Sequence, residues 1–161
     1  MFTIGILIIS DSVSKRRRQD LSGAAIRSMV AQLPGATVSI EATVPDEQDQ
    51  IAGLLRTWSD ELRLNLILTT GGTGLAPRDV TPEATKMVIE REVPGIAEAL
   101  RAVSLRYTAM AMLSRGVAGV RGHTLIINLP GSPKAVKECL DYALPVLPHA
   151  INLLTEGPSE H

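Results

Sequence analysis

A segment rich in glycine and threonine, residues 69–74 (TTGGTG), is the part of the sequence best suited to binding an anion. It follows an apolar, strand-like run, and its glycines let backbone N–H groups approach phosphate oxygens closely or adopt positive φ. It is not a P-loop, because no Gly-Lys-Ser/Thr follows it. Nor is it the dinucleotide-binding fingerprint, which should follow the first strand. A plain glycine turn that joins a strand to a helix is the alternative interpretation.

Arg78 and Asp79 lie between this loop and a helix predicted to begin at Thr81-Pro82, with the Thr81 hydroxyl as its cap and proline in the first turn. A carboxylate beside bound phosphate needs a cation between them, and Mg²⁺ is commonly held by one or two carboxylates together with phosphate oxygens. Arg78 could pair with phosphate in a bidentate manner, whereas Asp79 could be a simple turn residue. Asp46 is a second candidate carboxylate, but its position also suits the N-cap of the next predicted helix, with Asp49 three residues on.

The rest of the pattern predicts the elements that would position these residues. Apolar runs or alternation predict strands at residues 3–9, 38–42, 65–69, 117–120 and 124–129, with a hairpin turn at Arg121-Gly122. Apolar residues at helical spacing predict helices after Asp20 or Ser22, after Pro45-Asp46, from Thr81, over residues 96–107, and from about Ser132 towards Leu154 with interruptions near Pro145 and Pro148. Residues 10–19 are predicted to be a loop.

This order of elements predicts an α/β fold in one domain over residues 1–161. The expected architecture is a three-layer αβα sandwich, with a mostly parallel sheet plus one antiparallel hairpin strand. In such sheets, ligands bind at the carboxyl ends of the strands. That edge collects Ser10, Asp11, Asp46, residues 70–79 and residues 130–134, so all the unusual segments of the chain are expected to meet there.

Composition excludes several classes of function. Four aromatic residues among 161 argue against recognition of RNA by stacked bases. A net charge of -1 leaves no overall basic field for nucleic acid or an anionic membrane. Residues 15–18 are basic and could meet a polyphosphate, although a solvated loop is the simpler interpretation. The single cysteine, Cys139, is expected to be a buried or half-buried thiol without a role, and His123, His149 and His161 show no metal-ligand spacing.

No run reaches the roughly 18 apolar residues of a membrane span. The first nine residues also lack the basic start of a secretory signal. We therefore expect a cytoplasmic protein.

Three motifs together resemble the molybdopterin-binding family, which includes bacterial MogA and MoaB proteins and the G domain of gephyrin. They are Thr69-Thr-Gly-Gly-Thr-Gly74, Arg78-Asp-Val-Thr-Pro-Glu-Ala84 and Leu129-Pro-Gly-Ser-Pro-Lys-Ala135. Secondary matches include Val44-Pro45-Asp46, Asp20-Leu-Ser-Gly23 and Leu113-Ser-Arg115. The resemblance covers nearly the whole chain in order, and the three main motifs in combination are highly specific.

The resemblance implies an enzyme of molybdenum cofactor biosynthesis, which binds molybdopterin and Mg-ATP, joins AMP to the pterin's phosphate and releases pyrophosphate. It implies a homotrimer whose product passes to a molybdate-insertion protein. Asp46 and Asp79 carry over as the catalytic and metal-binding residues. The nucleotide and pterin contacts carry over as Ser10, Asp11, Thr70, Gly71, Gly72, Thr73, Gly74, Arg78, Ser114, Gly131, Ser132, Pro133 and Lys134.

One loop departs from the family pattern. The family often has Ser-Asp-Arg where this chain has Ser10-Asp11-Ser12, and arginine recurs only from Arg16 onwards. A catalytically silent molybdopterin-binding or scaffold protein of the MoaB type is therefore the alternative function. The presence of both Asp46 and Asp79 favours the enzyme.

Overall fold

A six-stranded sheet forms the middle of the fold in the computed structural model, which describes residues 1–16 and 19–157. Its order is β2-β1-β3-β6-β5-β4. The β1, β2, β3 and β6 strands pair in parallel, whereas β5 is antiparallel to both β6 and β4. The strands are β1 Phe2–Ile9, β2 Ala36–Val44, β3 Leu66–Thr70, β4 Arg91–Glu92, β5 Ala118–Arg121 and β6 Thr124–Leu129.

Helices cover both faces of this sheet. They are α1 Asp11–Ser14, α2 Ser22–Val30, α3 Gln48–Asp60, α4 Thr81–Val88, α5 Pro94–Leu105, α6 Pro133–Ala143 and α7 Leu147–Thr155, with 3₁₀ turns at Ala109–Leu113 and Leu144–Val146. Apolar residues of α2, α5, α6 and α7 pack in one core with one face of the strands. Those of α3 and α4 form a second core on the other face. The predicted three-layer αβα sandwich is therefore confirmed.

The central strands are buried on both faces. Ile4, Ile6 and Ile8 of β1 belong to the first core, while Leu7 and Ile9 belong to the second. Every residue of β3 is buried, but β2 at the sheet edge alternates between partly buried and exposed positions. This is why the central strands have continuous apolar sequences and the edge strand an alternating one.

Several predicted boundaries were wrong for local reasons. Residues 10–19 include the short helix α1, since Ser10 caps it by accepting the Val13 N–H at 3.3 Å. The hairpin turn is Gly122-His123, because Arg121 pairs with Thr124 across the ladder. The α5 helix begins at Pro94 and not at Ile96, since proline fits a first helical turn.

One short strand was missed by the sequence analysis, and one predicted helix interruption was found. The two-residue strand β4 was not predicted, because it is too short to show a pattern. The interruption of the last helix near Pro145 and Pro148 was confirmed.

Three residues named in the sequence analysis lie outside the described residues: Arg17 and Arg18, which are two of the four basic residues at 15–18, and His161. Within the described part of the chain, no helix has the length and apolar character needed to cross a membrane.

Two glycines give opposite predictions for stability. A Cβ at Gly5 would lie 2.7 Å from Leu64 Cδ1 and 2.8 Å from the buried Trp58 ring, so Gly5→Ala should destabilise the fold by about 1–3 kcal/mol. Nothing lies within 4 Å of a Cβ built on Gly53 in α3, so Gly53→Ala should stabilise it by about 0.5–1 kcal/mol. Urea unfolding of both variants measures this difference, and equal free energies of unfolding would contradict it.

Candidate functional site

A cavity of about 590 Å³ opens at the carboxyl ends of the parallel strands. The chain leaves β1 for β2 on one side of it and later returns to β3 on the other, so this cavity lies at a topological switch point of the sheet. Nine of the residues that the sequence predicted for the site line this cavity: Ser10, Asp46, Thr70, Gly71, Gly72, Asp79, Gly131, Ser132 and Pro133.

The glycine loop at the cavity has a backbone that requires glycine. Gly71 and Gly72 have φ of 99° and 67°. A Cβ at Gly71 would lie 2.3 Å from the Ile9 carbonyl oxygen, and one at Gly72 would lie 2.3 Å from Thr81 Oγ1. Positive φ and close backbone approach therefore coincide, and the segment is more than a plain turn.

Thr81 anchors this loop and does not cap its own helix. It is the first residue of α4, and the cap residue before it, Val80, has no side-chain hydroxyl. The Thr81 hydroxyl donates to the Gly71 carbonyl at 2.9 Å, and its N–H donates to the Gly72 carbonyl at 3.1 Å. The prediction that the Thr81 hydroxyl caps α4 was therefore wrong. The fully buried Thr81 instead holds the carbonyls of Gly71 and Gly72 in the loop.

The N-terminus of α6 forms the opposite wall. Ser132 caps this eleven-residue helix by accepting the Ala135 N–H at 3.2 Å, and Pro133 occupies the first turn. Two hydroxyls hold the preceding carbonyls: Thr70 donates to Pro130 at 2.7 Å, and Ser22 donates to Gly131 at 2.6 Å. A helix N-terminus directed at a cavity favours an anion there. Lys134 is exposed and is not part of the cavity wall.

Asp46 and Asp11 form a reciprocal pair of hydrogen bonds, in which each backbone N–H donates to the carboxylate of the other residue. The Asp11 N–H donates to Asp46 Oδ2 at 3.0 Å, and the Asp46 N–H donates to Asp11 Oδ1 at 3.0 Å. Asp46 is therefore not the N-cap of α3, which begins at Gln48 after Glu47. The reciprocal pair joins the ends of β1 and β2 and holds the Asp46 carboxylate at the cavity.

Asp79 lies at the same cavity, at the end of the loop that begins with Gly74. Its Oδ2 accepts the Ala76 N–H at 3.0 Å, and a Cβ at Gly74 would lie 2.9 Å from that oxygen. Gly74 is therefore needed to leave room for the carboxylate.

Arg78 pairs with carboxylates of the chain itself. Its Nε and Nη2 donate to Asp11 at 3.1 and 2.9 Å, and Nη1 lies 3.0 Å from Glu47. Neither Arg78 nor Asp11 lines the cavity. Both were expected as ligand contacts. In this structure Arg78 binds Asp11, and Asp11 in turn accepts the Asp46 N–H.

Comparisons with known proteins agree with this geometry. The family described as a probable molybdopterin binding domain matches residues 5–149. The chain belongs to the molybdopterin-binding family. It is 44% identical over 152 residues to molybdopterin adenylyltransferase of Helicobacter pylori, which covers 94% of this chain and 86% of that protein. It is 46% identical over 157 residues to the Drosophila melanogaster molybdenum cofactor synthesis protein cinnamon, covering 98% of this chain but only 26% of that protein.

A solved structure supports the same membership. The molybdopterin biosynthesis enzyme MoaB of Thermus thermophilus superimposes with a TM-score of 0.92 at 56% identity, covering 99% of this chain and 100% of that one. The family assignment made from the three motifs is therefore confirmed.

Three further predicted contacts of this molybdopterin-binding domain lie at a second cavity, of about 260 Å³. Thr73, Gly74 and Ser114 line it, together with largely apolar residues of α5 and of the following 3₁₀ turn. Consecutive residues of one glycine loop thus belong to two different cavities.

The second cavity also contains residues that the sequence did not single out. Asn128 is buried there, donating to the hydroxyls of Thr69 and Thr85 at 3.0 Å each and accepting the Val117 N–H at 3.1 Å. Burial raises the pKa of Cys139, the buried thiol expected from the sequence. The sequence analysis also missed four residues that line the larger cavity, although the motif Asp20-Leu-Ser-Gly23 was a signal for three of them. They are Gln19, Asp20, Leu21 and Ser22.

The two bonded aspartates have opposite electrostatics. Burial raises the pKa of the Asp46 carboxyl above its usual range, and the negative charges of Asp11 and Asp79 add to this effect. Hydrogen bonds from the Arg78 side chain and then from the Asp46 backbone hold the pKa of Asp11 below its usual range. An ionised Asp46 therefore opposes folding above its raised pKa, whereas an ionised Asp11 supports folding.

Asparagine substitutions should show these opposite signs. Asp46→Asn should raise the melting temperature at pH 7, and this gain should vanish below about pH 4, where the unfolded chain also holds its proton. Asp11→Asn should lower the melting temperature at pH 7, and this loss should shrink as the pH falls through the depressed pKa of Asp11. Thermal unfolding of both variants from about pH 2 to 8 checks the signs and covers both pH windows, and destabilisation by Asp46→Asn at pH 7 would contradict the argument.

Proposed function

We propose that this chain transfers AMP from Mg-ATP to the phosphate of molybdopterin and releases pyrophosphate. The observation that carries the proposal is the meeting of two anion-binding backbone segments, the glycine loop and the α6 N-terminus, with Asp46 and Asp79 in one cavity. The Helicobacter relative, named molybdopterin adenylyltransferase, supports the same activity. A reaction between two anionic substrates needs this combination of phosphate-binding backbone and metal-binding carboxylate.

The two carboxylates fit Mg²⁺ shared with a substrate. Among the described residues, no group of three or more His, Cys, Asp or Glu side chains could hold a metal by itself. Mg²⁺ is usually held by one or two carboxylates and completes its shell with water and phosphate oxygens. In the hydrogen bonds between described residues, Asp46 and Asp79 accept through Oδ2, which leaves Oδ1 of each for the metal. When bound, Mg²⁺ would neutralise charge on the phosphates.

The chain's own residues act by positioning and by charge. The attacking group is a phosphate monoester, largely dianionic near pH 7, so no general base is required. Its oxygen forms a bond to the α-phosphorus while the bond from that phosphorus to the leaving pyrophosphate breaks. The loop at residues 70–74 and the α6 N-terminus would hold the phosphates in line, and Lys134 would add positive charge near that helix end.

The two cavities suit two substrates. We place the glycine loop between them, because Gly71 and Gly72 line the larger cavity and Thr73 and Gly74 line the smaller. A loop shared in this way would hold both anionic groups against a single stretch of backbone. On this proposal Ser114 contacts the substrate in the smaller cavity.

The catalytically silent binder is not favoured. Both carboxylates lie at the same cavity, whereas a binder has no need for a second acidic group beside phosphate. Incubation with Mg-ATP and molybdopterin, followed by mass detection, decides between the two functions. Adenylylated pterin supports the enzyme, and binding without product would support the silent binder.

Asp79→Asn tests the role of the second carboxylate. The amide can still accept the Ala76 N–H but has no charge for Mg²⁺, so we expect turnover to fall at least ~10²-fold with little change in melting temperature. Asp60→Asn is the matched control, since Asp60 pairs with Arg121 away from the cavity. Normal adenylyl transfer by Asp79→Asn at saturating Mg²⁺ would refute the two-carboxylate mechanism.

We also propose that the chain acts as a homotrimer in the cytoplasm and passes its product to a molybdate-insertion protein. An exposed apolar surface supports self-association. It consists of Leu105, Tyr107, Met110, Met112 and Leu113. Sedimentation should show a species near three times the chain mass of 17.2 kDa, and a stable monomer at micromolar concentration would count against the trimer.

A further inference from the structure

Arg115 makes a set of contacts that the mechanism above does not use. Its Nε donates to the Gly74 carbonyl at 2.8 Å, and its Nη2 donates to the Asp79 carbonyl at 2.8 Å. Its Nη1 pairs with Glu83 at 2.8 and 3.1 Å, and its backbone N–H donates to the Thr73 carbonyl at 2.8 Å. Arg115, two residues after the 3₁₀ turn Ala109–Leu113, thus binds the glycine loop, Asp79 and Glu83 in the first turn of α4.

Apart from the Arg115 contacts, the segment between Gly74 and Asp79 is tied to the rest of the chain by Arg78, which binds Asp11 and Glu47. Leu75 is 63% exposed, and Ala76, Pro77 and Arg78 are exposed as well. Between Gly74 and Asp79, its internal hydrogen bonds are those that Ala76 and Asp79 exchange. Because the Arg115 fork binds the carbonyl at each end, it fixes the distance between Gly74 and Asp79.

We propose that Arg115 is a positioning residue that sets the Asp79 carboxylate in place for the metal-bound nucleotide. This inference rests on the proposed function. Arg115 does not line the larger cavity, so it acts through the backbone of Asp79. The planar guanidinium is required, because three groups in different directions accept from its separate nitrogens. A lysine ammonium keeps the charge but cannot span them.

Arg115→Lys is the test variant, and Arg121→Lys is the matched control. Arg121 makes the same kind of fork, pairing with Asp60 at 3.0 and 2.8 Å and donating to the Val88 carbonyl at 2.9 Å, but it lies away from both cavities. Both substitutions keep the charge and break a fork. A purely structural effect should therefore lower the melting temperature of the two variants similarly and leave their kcat values alike.

Three measurements on the full chain separate the outcomes. Hydrogen exchange at residues 74–79 should rise in Arg115→Lys and stay at the wild-type level in Arg121→Lys. The affinity for Mn²⁺-ATP, followed by the electron paramagnetic resonance of Mn²⁺, should weaken only in Arg115→Lys. The kcat for adenylyl transfer should fall about 10–100-fold, with the KM for molybdopterin changed less than about 3-fold.

Two results would overturn the inference. Unchanged exchange at residues 74–79 in Arg115→Lys would show that the arginine does not position the segment. Raised exchange with unchanged Mn²⁺-ATP affinity would show that the position does not matter to the nucleotide. If the wild-type chain makes no adenylylated pterin, the proposed function fails, and the exchange and Mn²⁺-ATP measurements still decide the role of Arg115.

Discussion

The rest of the site depends on one electrostatic constraint, the crowding of carboxylates at the edge where the parallel strands end. Asp11 at the start of α1, Asp46 after β2 and Asp79 before α4 meet there, and the pKa of Asp46 is raised first by burial and then by the negative charges of Asp11 and Asp79. Arg78 balances Asp11 from the solvent side. In the described part of the chain, no arginine or lysine forms a salt bridge with Asp46 or Asp79. Among the described residues, the fold thus pairs the Asp11 carboxylate with an arginine and leaves the carboxylates of Asp46 and Asp79 without a basic partner.

Hydrogen bonds between loops keep this arrangement in place without a ligand. Thr81 fixes the carbonyls of Gly71 and Gly72, and Thr70 fixes that of Pro130. Each of these hydroxyls is buried, so each bond lies in a region of low dielectric, where breaking it is costly. The site is therefore preorganised, which is the condition under which positioning can lower the barrier between two anions.

Local patterns in the sequence predicted the fold, and they failed where long-range contacts decide. The apolar runs of the central strands have no other stable location than a two-sided core, so the sandwich and its functional edge followed from them. Asp46 looked like an N-cap because spacing alone cannot show that its partner is Asp11, 35 residues away. The pairing of Arg78 with Asp11 was missed for the same reason, since the two residues are 67 positions apart. The second cavity was not predicted as a separate site, although Thr73, Gly74 and Ser114 were predicted contacts, because much of its wall is assembled from α5, β6 and α6.

The raised pKa of Asp46 also bears on the binding of a cation. Burial, and with it the charges of Asp11 and Asp79, disfavours the ionised form of Asp46, so ionisation of this carboxyl lowers the free energy of unfolding. A cation bound between Asp46 and Asp79 would remove that cost. The gain would then appear as affinity for the metal-bound nucleotide and as added stability of the complex. On the proposed mechanism, replacing the Asp46 carboxylate by a neutral group would recover the stability and lose the affinity for the metal-bound nucleotide, which is the trade-off expected of a residue kept for chemistry and not for folding.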